Sequence, residues 1–318
     1  MWIKTIALSA VLAVSVAQAE EKAGPLKASY KTDLLTDGVY VIHGPVSFPN
    51  EQNQGFMNNP SFIIGDDGVV VVDPGGSVQT GEMVLSHIEK TTDKPIVAVF
   101  NSHVHGDHWL GNQAIRDKYP DVPIYAHRQL ATRVIAGAGA EWLEMALRVT
   151  GHATAGTKVV MADHLVNDGD VIKVAGLTFN MMNNGKAHTD TDIMVHVAEK
   201  DLVYLGDNCG NQRLLRLENG SFRGNIAALK SAIDTGAKYF VPGHGPSGGP
   251  EVASNYREYL NIVYNTVKQG YEDGLADFEI RPLVVEKITE WKNWDGFEVT
   301  FGNHLSTAYL EAEAADFE

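Results

Sequence analysis

His103-Val104-His105-Gly106-Asp107-His108 sets four potential metal ligands within six residues. The segment follows the apolar run Ile96 to Phe100, which reads as a buried strand, and it opens a new helix. His103 and His105 are two apart, so in extended backbone both imidazoles project to one side. Asp107 and His108 lie past the turn at Gly106, where they face a second ion. Imidazole nitrogens with a carboxylate suit zinc or another borderline divalent cation better than calcium or magnesium. One aspartate at a helix start is an ordinary cap. Three histidines beside it are not, and that decides for metal.

Partners for these ligands follow other apolar runs. His188 comes after Leu177 to Met182, in Asn184-Gly185-Lys186-Ala187-His188-Thr189-Asp190; Asp207 comes after Leu202 to Leu205, and His244 after Tyr239 to Val241. Each alone would read as a cap or a satisfied loop side chain. Their joint placement at predicted strand ends, where sites are built on rigid scaffolding, points to one centre.

Working outward, Ser61 to Ile64 and Val69 to Val72 flank Gly65-Asp66-Asp67-Gly68, an Asp-Gly hairpin signal, and the second run ends in Asp73-Pro74-Gly75-Gly76. A helix around Met83 to Ile88 leads into the strand before the motif. The theme returns with hairpins around Ala175-Gly176 and Glu199-Lys200-Asp201, a helix over Asn225 to Asp234, and the strand before His244. Between the two, Gln129 to Val149 has helical spacing broken at Ala136-Gly137-Ala138-Gly139. The chain therefore reads as α/β: two similar halves packed sheet to sheet, helices outside, and a helical tail from about Val252. The expected divisions are 1–19 as a signal peptide, 20–250 as the main domain and 251–318 as a C-terminal extension packed on it.

The 318 residues are 44% hydrophobic and 20% charged, an ordinary globular composition. A formal charge of -15 disfavours nucleic acid and anionic membrane surfaces as partners and leaves a small-molecule substrate. Lys4, the apolar run Ile6 to Val16 and Ala17-Gln18-Ala19 make a secretory signal peptide cleaved after Ala19, which implies a soluble periplasmic or secreted protein. The single cysteine, Cys209, forbids an intrachain disulfide and reads as a small buried thiol near the site.

The set His-x-His-x-Asp-His followed by His188, Asp207 and His244 resembles the metallo-β-lactamase-fold hydrolase superfamily, over Val39 to Gly245. The resemblance implies a four-layer αββα sandwich with a helical C-terminal extension. It implies that His103, His105 and His188 bind one metal, that Asp107, His108 and His244 bind the other, and that Asp207 bridges them. Asp73 would support the ligands through hydrogen bonds. The cofactor implied is two Zn2+ ions, ahead of iron or manganese. A hydroxide held between cations roughly 3.5–4 Å apart would attack a carbonyl, with Asp207 and Asp107 handling the proton.

Within the superfamily, Asp207 stands where one class of β-lactamases has a cysteine, and so resembles the glyoxalase II, lactonase and esterase branches. Val39-Tyr40-Val41, His188-Thr189-Asp190-Thr191-Asp192, and the spacing of Asn303, Ala308, Tyr309 and Glu313 are similar to the exported quinoprotein relay system zinc metallohydrolases. The expected reaction is hydrolysis of an ester, thioester or lactone. The alternatives are a metallo-β-lactamase and a low-turnover metal-binding or redox-relay accessory protein. The loop Gly44 to Pro60, with Phe48, Phe56 and Met57, resembles the flap that β-lactamases of this fold close over substrate; an ordinary surface loop is the other reading. His304 and Tyr309 either reach the site or pack within the C-terminal helices.

Overall fold

Val69–Val72 shows how the layers are built. All four valines are buried, because both faces of this strand are covered. Val69 and Val71 point into one hydrophobic cluster, whereas Val70 and Val72 point into another. The computed structural model describes residues 21–317, so the expected signal peptide, residues 1–19, lies outside the described residues.

The first sheet is built from β1 (Asp33–Thr36), β2 (Val39–Val41), β3 (Ser61–Ile64), β4 (Val69–Val72), β5 (Ile96–Asn101), β6 (Ile124–His127) and β7 (His164–Val166), paired in that order. Its pairing is antiparallel up to β4 and parallel from β4 to β7. The helices α1 (Val78–Thr91), α2 (Gly106–Trp109), α3 (Asn112–Lys118), α4 (Arg128–Arg133) and α5 (Gly139–Val149) fall between its later strands. Ser77 caps α1 by accepting from Thr80 N. The expected β3–β4 hairpin forms, with Ser61 opposite Val72. The glycine interruption is also where expected: residues 134–138 form a widened turn with Gly137 at φ 124°, separating α4 from α5.

The second sheet has the order β12-β11-β10-β9-β8, with β8 (Val171–Val174), β9 (Leu177–Met182), β10 (Met194–Val197), β11 (Leu202–Gly210) and β12 (Tyr239–His244). Helix α6 (Phe222–Asp234) makes the crossover between the parallel strands β11 and β12, and the chain closes with α7 (Pro250–Glu272), α8 (Asp277–Lys287) and α9 (Phe297–Ala315). Phe100 and Val70 of the first sheet meet Phe179, Met181 and Val195 of the second in the inter-sheet core; the Phe100 and Phe179 rings stack 5.1 Å apart. The outer face of the first sheet packs on α1 to α5, and that of the second on α6 to α9. This is the four-layer αββα arrangement. The C-terminal helices share one continuous core with β11, β12 and α6.

Two boundaries differ from the sequence reading in a way that matters. Strand β11 does not end at Leu205 but continues to Gly210, and β12 includes His244. Polar residues inside these strands are held because β11 and β12 pair in parallel with register shifts around Gly206 and Gly210. Gly206, at φ 53°, lets β11 pass the first sheet closely; a Cβ there would meet Ser102 Cβ at 2.8 Å. Strands β1, β6 and β7, each three or four residues long, escaped the sequence reading.

Candidate metal centre

The seven residues singled out by the sequence converge on one place. His103 and His105 follow β5, while Asp107 and His108 lie in the single turn of α2. His188 comes from the β9–β10 connection, Asp207 from inside β11, and His244 ends β12. Their ligand-type atoms form two groups: His103, His105, His188 and Asp207, and then Asp107, His108 and His244, with the atoms of each group within 4.8 Å of one another.

Asp207 stands between them. Its Oδ1 lies 3.1 Å from His108 Nε2 and 3.3 Å from His244 Nε2. Its Oδ2 lies 3.5 Å from His188 Nε2 and 3.7 Å from His103 Nε2. Asp107 Oδ2 is 3.3 Å from His244 Nε2 and 3.4 Å from His108 Nε2. Each oxygen of the Asp207 carboxylate thus faces a different group.

Hydrogen bonds behind the rings set which nitrogen faces the centre. His108 Nδ1–H donates to Asp73 Oδ2 at 2.8 Å. Ser102 Oγ–H donates to the same oxygen at 2.7 Å, so Ser102 Oγ accepts from His103 Nδ1 at 2.9 Å. His244 Nδ1–H donates to Met57 O at 2.8 Å. All three rings therefore turn Nε2 towards the centre. His105 offers Nδ1, which lies 3.1 Å from His188 Nε2. Asp73, expected as a supporting residue, is held at φ 51° and also accepts from Ser102 N at 2.8 Å.

Burial and charge oppose each other here. Burial drives His103 well below the usual imidazole range, lowers His105, and takes His188 down to about 3. Burial acts on His108 too, but the carboxylates of Asp207, Asp107 and Asp73 outweigh it and hold it well above. For Asp207, burial raises the carboxyl, and His244, His108 and His103 overcome this to hold it well below the carboxylate range. His103, His105 and His188 are thus held in the neutral form that binds a cation, and a cation would displace the proton that the carboxylates hold on His108. Three buried atoms turned to the centre, His103 Nε2, His108 Nε2 and Asp207 Oδ1, have no hydrogen-bond partner. Orphaned atoms of this kind are rare in a native interior. The nitrogen and oxygen donor set fits two borderline divalent cations.

The His-Thr-Asp-x-Asp element braces the connection that carries His188. Asp192 accepts from Thr189 N at 2.8 Å and from Thr189 Oγ1 at 2.6 Å, and its burial pushes the carboxyl up to about 7. Thr191 Oγ1 accepts from Val104 N, tying this connection to the histidine-rich loop. Residues missed by sequence reasoning include Ser102, whose neighbour position was the available signal, and Met57, which acts through its carbonyl and gives none. Arg213 and Trp142 also face the centre and carried no motif.

A cavity of about 660 Å³ opens over the cluster. Phe48, Pro49 and Met57 of the Gly44–Pro60 loop line it. Phe56 does not; it is buried against Tyr30 with ring centroids 4.5 Å apart. Asn58 Nδ2 donates to Asp73 O, and Asn59 Nδ2 donates to Pro242 O and Gly245 O, so the loop is a wall fastened to both sheets. Met57 O holds the His244 ring, so this wall stands on the His244 side of the cavity. Cys209 faces away from the cluster, its thiol 3.4 Å from Val252 O in the helical core and pushed up by burial. Strand β11 runs on past Asp207 through Cys209, and the direction of the sulfur keeps it out of the ligand set. Tyr309 packs edge-on against Tyr271, and His304 is buried one layer behind the cavity.

A histidine- and aspartate-lined centre at the strand ends of an αββα sandwich defines a metal-dependent hydrolase. The sequence profile of the metallo-β-lactamase superfamily matches residues 54–244, and the chain belongs to that superfamily. It is 25% identical over 199 residues to a protein of Streptococcus pyogenes described as a probable metallo-hydrolase, a match covering 59% of this chain and 79% of that one. Among solved structures, a metallo-β-lactamase from Pontibacter korlensis has a TM-score of 0.58 at 16% identity, covering 73% of this chain and 99% of the other. The sec-alkylsulfatase Pisa1 from Pseudomonas sp. has a TM-score of 0.69 at 15% identity, covering 91% of this chain and 52% of its own.

Proposed function

We propose that this metallohydrolase holds two Zn2+ ions and hydrolyses a small-molecule ester, thioester or lactone outside the cytoplasm. The observation that carries the reading is the Asp207 carboxylate, whose two oxygens face different ligand groups at 3.1–3.7 Å. His103, His105 and His188 would hold one cation and Asp107, His108 and His244 the other, with Asp207 shared. Bound there, divalent cations supply Lewis acidity and a water acidified towards neutral pH.

The chain's own residues do the remaining work. Asp73, Ser102 and Met57 O fix the tautomers and the ring directions. Trp142, whose ring centroid lies 5.0 Å from that of His105, together with Met57 and Pro49 limits water access. Asp107, 9% exposed, opens onto the cavity and is placed to receive a proton from the attacking water and return it to the leaving group. Asp207, more enclosed, holds negative charge between the two imidazole groups. The Lys4-to-Ala19 segment supports export, which the intact mass of the secreted chain checks.

A second reading, hydrolysis of a sulfate monoester, is favoured by one observation. Fold similarity to the alkylsulfatase covers 91% of this chain, against 73% for the β-lactamase. One experiment addresses both readings: quantify the metal in the purified protein, then screen esters, thioesters, lactones, β-lactams and alkyl sulfates together. Two metals per chain with carbonyl-ester turnover abolished by a chelator is the expected result. Turnover of cephalosporins alone would assign a β-lactamase, and two metals with no turnover of any member would support an accessory role.

A further inference from the structure

Away from the metal centre, three side chains have the layout of a base-activated nucleophile. Asp33 opens β1, His43 lies two residues past β2, and Ser247 lies three residues past the end of β12. Strands β1 and β12 are the outer strands of their sheets, so the three residues meet where the two sheet edges come together. His43 Nδ1 lies 2.9 Å from Asp33 Oδ2, and His43 Nε2 lies 2.9 Å from Ser247 Oγ. None of the three lines the cavity over the histidine–aspartate cluster. The group is open to solvent, with the His43 side chain 26% exposed.

A backbone contact fixes the tautomer. Ser247 N donates to His43 Nε2 at 3.2 Å, so the neutral ring carries its one proton on Nδ1 and donates it to Asp33. The Ser247 hydroxyl faces the same lone pair and is therefore the donor to Nε2. Hydroxyl to base, and base to an orienting carboxylate, is the resting arrangement of an activated serine. The turn that bears Ser247 is held on several sides. Asn59 Nδ2 donates to Gly245 O at 2.7 Å, Asn211 Nδ2 donates to Pro246 O at 2.8 Å, and Gly248 exchanges two backbone bonds with Phe240. Gly245, at φ 88°, sits so close to Asn211 that a Cβ would overlap its carbonyl oxygen. The backbone donors beside the hydroxyl are all engaged: Ser247 N with His43, Gly248 N with Phe240 O, and Gly249 N with Glu251 Oε1 at 2.8 Å. Pro246 has none, so residues 246–249 offer no free N–H to a developing oxyanion. The layout thus supports attack by the hydroxyl without rapid turnover of the adduct.

We propose that Ser247 is an acyl acceptor separate from the metal centre, taking the acyl group of an activated carboxylic ester, with His43 as its general base and Asp33 as the positioning residue for that base. Ser247 Oγ bonds to the carbonyl carbon, and the bond from that carbon to the leaving oxygen breaks. The hydroxyl proton passes to His43 Nε2 and from there to the departing alkoxide or phenolate, while the Asp33 carboxylate stabilises the imidazolium between the two transfers. The products are a serine ester and a free alcohol or phenol. No metal takes part in this step, so it does not depend on the hydrolase reading.

The test is acetylation of the full chain by excess p-nitrophenyl acetate, followed by peptide mass mapping, which counts the label on Ser247 apart from any ester that the metal centre hydrolyses. Ser247 is expected to be labelled at least about tenfold faster than in the urea-unfolded chain, and His43→Ala to lose about 100-fold of that rate. Free imidazole is expected to restore part of it, which it would not do for a histidine that only fastens the turn. Asp33→Asn, at an exposed position, is expected to lose several-fold and Asp33→Glu to regain part of the loss. If Ser247 is labelled no faster in the folded chain than in the unfolded one, or if folded His43→Ala matches wild type or is not rescued by imidazole, the proposal is overturned and the three residues are a fastener between sheet edges. Should His43→Ala fail to fold, an unchanged rate in Asp33→Asn overturns it equally. Because the label is mapped to one serine, a silent hydrolysis panel leaves a positive result standing, and an unlabelled Ser247 leaves the metal-centre reaction intact.

Discussion

Asp73 Oδ2 lies 2.8 Å from His108 Nδ1, and through Ser102 the same oxygen also governs His103. One carboxylate outside the cluster therefore orients one imidazole from each ligand group. Asp73→Asn keeps the shape but removes the charge and one acceptor. Metal affinity is expected to fall about 10–100-fold, more at the group containing His108, as read by competition with a chromophoric chelator. Unchanged affinity at both positions would mean the rings are oriented by packing alone.

Asp207→Ala removes the carboxylate that both groups share. The variant is expected to retain one metal per chain in place of two and to lose nearly all hydrolytic activity. Elemental analysis and a rate on the best panel substrate check this, and near-wild-type turnover would refute the dinuclear reading.

Gly243 precedes His244 and backs onto Asp207. A Cβ at this position would overlap Asp207 Oδ1 and come within 2.9 Å of the Gly206 carbonyl carbon. Gly243→Ala is therefore expected to displace the carboxylate and lower metal content while the fold persists. Gly302→Ala on α9 is the contrast: nothing lies within 4 Å of its added methyl, and helix propensity favours alanine by up to about 1 kcal/mol. Thermal unfolding and metal content measured side by side should separate the two, and equal effects would remove the steric argument.

His304 links folding to pH. It is buried between Tyr259 and Leu215 O, and burial lowers its pKa from the usual 6.5 to about 4. Its contribution to stability is complete above pH 6.5 and is lost as the pH falls towards 4, since the unfolded chain binds the proton first. The shift corresponds to on the order of 3 kcal/mol across that window. His304→Gln keeps donor and acceptor capacity but cannot titrate, so its melting temperature should fall less than that of wild type between pH 7 and pH 5. Parallel pH dependence in the two proteins would show that other groups carry the acid sensitivity.

Much of this was legible in the chain because the signals were local. A β-hairpin needs only two apolar runs and an Asp-Gly turn, and β3–β4 forms as expected. The break between α4 and α5 follows from glycines that no neighbouring element overrides. The ends of β11 and β12 were misjudged because pairing with a partner strand, not propensity, extends them through Asp207 and His244. Phe56 was misjudged for a similar reason: hydrophobicity says that a side chain is buried, but not against which surface.

By itself the sequence determined the chemistry available at the centre, because ligand type and short spacing are properties of adjacent residues. His103, His105, Asp107 and His108 are legible at once, and His188, Asp207 and His244 follow from their places after apolar runs. Only the tertiary structure decided how those groups are aimed. Met57 O turns His244 from 187 positions away, Asn59 fastens the loop to Pro242, and Asp295 and His304 hold the segment bearing Arg213. Such pairings depend on close packing between elements far apart in the chain, and no local pattern encodes which distant carbonyl or carboxylate a ring will meet.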